Sequence, residues 1–166
     1  MARGELERTV QQSLLDRLTD DEPRVAADAP MTWAQSVRAF KAGVRRDLEW
    51  LLNTRRTAEL APEHLVEVGR SLHHYGLSDL TSLSKDSESD RERLLHWVED
   101  VIATYEPRLA NVRVTLAEGQ PADAHRRELH FVIEATFLLD PTPERVLYDT
   151  VLDLTRGDYA LRGDGA

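Results

Sequence analysis

The chain has 166 residues, 41% hydrophobic and 31% charged, which is the length of one domain with a loose arm and enough apolar material for a core. Thirty acidic against 21 basic residues leave a net charge of −9, which sets aside nonspecific grip on a nucleic-acid backbone or an anionic membrane. Without cysteine there is no disulfide, thiolate metal site or cysteine nucleophile, and no apolar run has the length of a signal-peptide core or a membrane span, so a cytoplasmic protein without direct membrane insertion is expected.

In chain order, Val10, Leu14, Leu15 and Leu18 recur at helical spacing and predict a short amphipathic helix over 9–18. A helix of that length is marginal alone in water, so it packs on its own domain or docks on a partner. The acidic, proline-bearing stretch TDDEPRVAADAP reads as a linker, dividing an arm (1–30) from the main domain (31–166). Ser36 is the expected N-cap of the next helix. Val37, Phe40, Val44, Leu48, Leu51 and Leu52 share its apolar face. Arg38, Lys41 and Arg45 form a basic stripe beside that face, in the one net-positive stretch of the chain, and are either a solvated flank or a contact for an acidic partner. Gly43 inside the helix suggests close packing, and Asn53 and Thr54 end it.

Leu65, Val68 and Leu72 predict a short helix before Tyr75 and Gly76, followed by a polar loop, SLSKDSESD. Ser89 and Glu92 have capping-box spacing for a helix that Pro107 ends. Beyond it the period falls to 2. Val112, Val114 and Leu116 mark one strand, and Leu129 to Leu139 a longer one. Residues 146–154 and 159–161 mark two more, with a turn at Arg156 and Gly157. Helices followed by consecutive antiparallel strands make an α+β domain, whose last strands are expected to be sheet edges with Thr150 exposed.

No phosphate-binding glycine loop, GxSxG or HExxH is present. The six histidines form no metal set, so neither metal nor cofactor is expected. Glycosidase chemistry needs two placed carboxylates, and among 30 acids such a pair carries almost no information. Glu106, next to Tyr105, is the best candidate, but Arg108 favours its ionised form where a general acid needs the protonated one. No catalytic residue is assigned.

Three strings are more specific: RDLEWLLNTR (46–55), YGLSDL (75–80) and YEPRL (105–109). In this order and spacing they resemble the TssE family of type VI secretion baseplate subunits, within the wider lysozyme-like baseplate wedge proteins of contractile tails. The likeness extends from about residue 13 to about residue 160. One departure is Ser78, where relatives often carry proline. The resemblance implies a structural protein and not an enzyme. Its Glu106-Pro107-Arg108 motif would dock in a wedge built with TssF and TssG, linked to TssK around the VgrG hub near the inner membrane. Its sheet would start polymerisation of the TssB–TssC sheath. A phage or phage-like tail baseplate is the alternative, and a peptidoglycan-cleaving muramidase a remote one. An extended junction at Pro107 would turn Glu106 and Arg108 to one side, either to meet a partner or to pair with each other.

Overall fold

A computed structural model describes residues 9–20, 23–24, 31–57, 59, 62, 64–78, 87–117 and 128–163. They fall into two compact units, divided between Arg46 and Asp47. Among the described residues no helix is long and apolar enough to cross a membrane. Most of the expected linker, the Ser82–Asp86 part of the polar loop and residues 118–127 lie outside them.

In the first unit, helix α1 covers only Leu14–Leu18, because Ser13 caps it by accepting from the Asp16 amide at 3.2 Å. The expected helix over 9–18 is therefore too long. Val10 and Gln12 bond outward, the Val10 amide donating to Ser36 Oγ at 3.0 Å and Gln12 Nε2 to the Ser36 carbonyl at 2.8 Å. The attachment of α1 is polar, completed by Asp16 and Arg46 at 2.5 Å, while Leu14, Leu15 and Leu18 stay exposed. A Cβ on Gly43 would stand 3.0 Å from Asp16 Oδ2, so the close packing expected there is present.

Helix α2 spans Trp33–Asn53. Its cap is not Ser36 but a Thr32/Gln35 box. The Gln35 amide donates to Thr32 Oγ1 at 3.3 Å and the Thr32 amide to Gln35 Oε1 at 2.8 Å. Ser36 sits in the first turn, 1% exposed, its hydroxyl donating to the Trp33 carbonyl. Phe40, Val44, Leu48, Leu51 and Leu52 are all buried, as the apolar spacing predicts.

In the second unit, α3 (Val66–Gly69) and a 3-10 turn (Leu72–His74) lead to Gly76. That residue has φ +97°, and a Cβ there would lie 2.2 Å from the Thr54 carbonyl oxygen, so only glycine fits. Helix α4 (Glu88–Tyr105) is capped by Ser87, whose hydroxyl accepts from the Asp90 amide, rather than by Ser89; it buries Leu94, Val98 and Ile102.

Four antiparallel strands follow in the order β1-β2-β3-β4: Leu109–Leu116, Glu128–Phe137, Glu144–Asp153 and Asp158–Gly163. Alternation puts Phe131, Ile133, Ala135 and Phe137 on one buried face of β2, opposite Thr150, Tyr148, Val146 and Glu144 of β3. The sheet edges are thus β1 and β4. Thr150, expected to be exposed near an edge, is 1% exposed and lies in an inner strand between Phe131 and Leu161. Thr150 shares the inward face of Val146, Tyr148 and Leu152, and pairing with β4 on its far side makes β3 an inner strand.

Candidate functional site

The three strings that carry the resemblance meet in the second unit. Segment 54–56 pairs with 76–77: the Leu77 amide donates to the Thr54 carbonyl and the Arg56 amide to the Leu77 carbonyl, each at 2.9 Å. The Tyr75 and Tyr105 rings meet edge to face at 5.3 Å, and the Tyr105 hydroxyl donates to the Ser71 carbonyl at 2.9 Å. Asp47 and Arg108 close the remaining side.

Arg108 is the hub of this cluster. Its Nε donates to Glu106 Oε1 at 2.6 Å, and its Nη2 bonds both Glu106 Oε2 and, at 2.7 Å, Asp47 Oδ2. Its backbone amide also donates to Glu106 Oε1, at 3.1 Å. The two-toothed grip on Glu106 suits the planar guanidinium. Burial opposes the charge on Arg108. The hydrogen bonds and attraction of Glu106 and then Asp47 outweigh that, and its pKa is pushed above the ordinary arginine value. Burial, helped by the same two carboxylates, raises the Tyr75 phenol.

The junction is a turn and not the extended segment expected: the Leu109 amide donates back to the Glu106 carbonyl at 3.2 Å. Glu106 and Arg108 do face each other, with Glu106 4% exposed. Pro107 is exposed, and the Arg108 and Asp47 side chains retain about a fifth of their surface. Chemically the cluster is a fixed arrangement of charge. Both carboxylates act as acceptors to one guanidinium. Among the described residues no group of three or more histidine or acidic side chains is placed to hold a metal ion.

Arg38, Lys41 and Arg45 stand on the part of α2 that belongs to the first unit, Arg38 exposed and the other two half-buried. Trp50, which lies off the main apolar stripe, is 52% exposed. Sequence reasoning missed three residues. Asp47, inside the string RDLEWLLNTR, is 61 positions from Arg108. Asn53 clasps β4 with its side-chain amide, Oδ1 accepting from the Tyr159 amide at 2.8 Å and Nδ2 donating to the Tyr159 carbonyl at 3.0 Å. Glu99 Oε1 accepts from the Val114 amide of β1 at 2.7 Å. Only Asp47 and Asn53 lay in a string that drew attention, and no local spacing names their partners.

Compared with known protein families, residues 38–142 match the one described as baseplate wedge protein gp25. Neither the curated proteins nor the solved structures give a match. The family match takes in most of α2, all of α4, β1 and β2, and the whole Asp47–Arg108–Glu106 cluster. With more than half of its length inside that match, the chain belongs to the baseplate wedge gp25 family of structural phage-tail proteins.

Proposed function

We propose that this chain is the TssE-type baseplate subunit of a type VI secretion system, docking in the wedge with TssF and TssG and starting the TssB–TssC sheath. The observation that carries this reading is the convergence of the three TssE-like strings. Residues of all three bond or stack on one another, so the resemblance describes one structural unit and not scattered identities. In this reading Glu106 and Asp47 set the guanidinium of Arg108, and the exposed Pro107 and the remaining surface of Arg108 meet the wedge. Trp50 is a further candidate contact. Arg38, Lys41 and Arg45 are proposed to face an acidic partner surface. TssK and the VgrG hub are reached through the wedge, and the cytoplasmic side of the inner membrane is the place of assembly. The sheath is started by adding a strand to an open sheet edge, for which β4 is the better suited of the two.

Co-purification with TssF and TssG tests the reading. Capture of the folded protein by the pair is expected, weakened by Trp50→Ala and, more at low salt than at high, by Arg38→Glu with Lys41→Glu. No capture under any salt condition overturns it in favour of a phage or phage-like tail baseplate, the alternative within the same family.

A further inference from the structure

Helix α1 lies on the first unit with its faces reversed. Its five residues read Leu-Leu-Asp-Arg-Leu, and none is buried. A turn of about 100° per residue puts Leu14, Leu15 and Leu18 on one side and Asp16 on the other. The Asp16 side is the attached one. Asp16 pairs with Arg46 at 2.5 Å, and its Oδ2 lies 3.0 Å from where a Cβ on Gly43 would stand. Just before the helix, Val10 and Gln12 bond to Ser36. The leucines are left 69%, 50% and 75% exposed. A surface helix ordinarily turns its apolar stripe inward. Here polar contacts fix the helix on α2 and present the apolar stripe to the outside.

Charge narrows what covers that stripe. Directly after Leu18 and Thr19 the chain carries three acids in a row, Asp20, Asp21 and Glu22, of which Arg17 offsets one. A complementary partner therefore offers apolar surface for three leucines and positive charge at one end of it. A second copy of this chain does not offer both. Its basic stripe, Arg38, Lys41 and Arg45, flanks Phe40, Val44 and Leu48, and those apolar side chains are already buried. An anionic membrane surface would repel the acids.

We propose that α1 is a docking helix, whose Leu14, Leu15 and Leu18 enter an apolar groove on a wedge protein with a basic end that receives Asp21 and Glu22. An amphipathic helix laid in a groove is a recurrent mode of recognition. The leucines supply the buried area, and the acids set the direction in which the helix lies. Fixing the helix beforehand through Asp16 and Ser36 lowers the ordering cost of binding. This rests on the wedge reading above and adds to it a contact made by the first unit.

The test measures binding of the full chain to the TssF–TssG pair, with sedimentation of the chain alone as a second readout. Leu14→Ser/Leu18→Ser is expected to bind at least about tenfold more weakly, with an unchanged melting temperature because both side chains are exposed. Leu14→Met/Leu18→Met keeps the apolar area and should bind nearly as the parent does. Asp21→Lys/Glu22→Lys should weaken binding, more at low salt than at high. Equal binding of the parent and the serine variant overturns the docking helix while leaving the wedge reading standing. No binding of the parent overturns both. A clear fall in the melting temperature of the serine variant also overturns it, since the leucines would then pack within the chain. Self-association of the parent that the serine variant abolishes overturns it in favour of a second copy.

Discussion

The two edges of the sheet are finished by different means. At β1, helix α4 lies alongside, Glu99 takes the outward amide of Val114, and a register shift between Ala110 and Arg113, with Asn111 at φ 52°, breaks the regular ladder. Its first residue follows directly on the buried Glu106–Arg108 pair. Bulges and covering side chains are the usual means of keeping an edge from pairing with another chain. At β4, among the described residues, a single neutral amide does the same work for one residue, Tyr159. The β1 end is thus built around charge that is costly to disturb, and the β4 end around two ordinary hydrogen bonds. The two edges differ in the kind of interaction that covers them.

The largest expected effect comes from breaking the charged end. Glu106→Ala leaves the guanidinium of Arg108 with Asp47 alone, and removing one partner of a buried pair typically costs about 3–5 kcal/mol. Urea unfolding is expected to give a midpoint far below that of the parent. Arg108→Ala should follow it. A nearly unchanged midpoint would mean that the pair is held for docking alone.

Opening the β1 edge is expected to cost less. Glu99→Ala removes the acceptor of the Val114 amide, a loss of about 1–3 kcal/mol for a hydrogen bond to a charged group, whereas Glu99→Gln keeps an acceptor and most of the stability. Hydrogen exchange at Val114 should quicken in the first variant and hardly change in the second.

Asn53→Ala removes two neutral bonds from β4, worth about 0.5–1.5 kcal/mol each. The loss should appear as faster exchange at Tyr159, with the amides of β2 unaffected. If β2 loosens equally, the clasp supports the whole sheet and the two edges are not independent.

The Tyr159 ring is buried against Phe131, yet its hydroxyl has no hydrogen-bond partner among the described residues, and burial pushes its pKa up. Tyr159→Phe removes a buried unsatisfied group, so a neutral effect or a gain of up to about 1 kcal/mol is expected in thermal unfolding.

The smallest effect is on the turn that leads into β4. The amide of Thr155, and less that of Arg156, hold the exposed Asp153 carboxyl below its ordinary value. A lowered folded-state pKa gives stability that is present above the unfolded value, near 4, and lost as pH falls through the folded one. Asp153→Asn should therefore lower the neutral plateau slightly and leave stability well below about pH 4, where the parent carboxyl is itself protonated, nearly unchanged, so that the profile between them flattens.

The order of helices before strands was legible because burial acts on local periodicity: Val44, Leu48, Leu51 and Leu52 at helical spacing, and Phe131, Ile133, Ala135 and Phe137 at every second residue, are all buried. The three strings were legible too, as was the closeness of Glu106 to Arg108. Caps were less so. Ser36 and Ser89 are local cap candidates like Thr32 and Ser87, but in the fold Thr32 and Ser87 accept the first-turn amides while the Ser36 hydroxyl takes the amide of Val10.

The amino-acid sequence by itself determined the α+β class, the apolar faces and the family, since each is written in residues a few positions apart. Tertiary structure alone decided that Asp47 completes the grip on Arg108, and that Asn53 finds Tyr159 across 106 positions. It also put Thr150 inside the sheet and left Leu161 at its rim. These are pairings between distant segments, and side-chain spacing carries no information about the path by which the chain returns to itself.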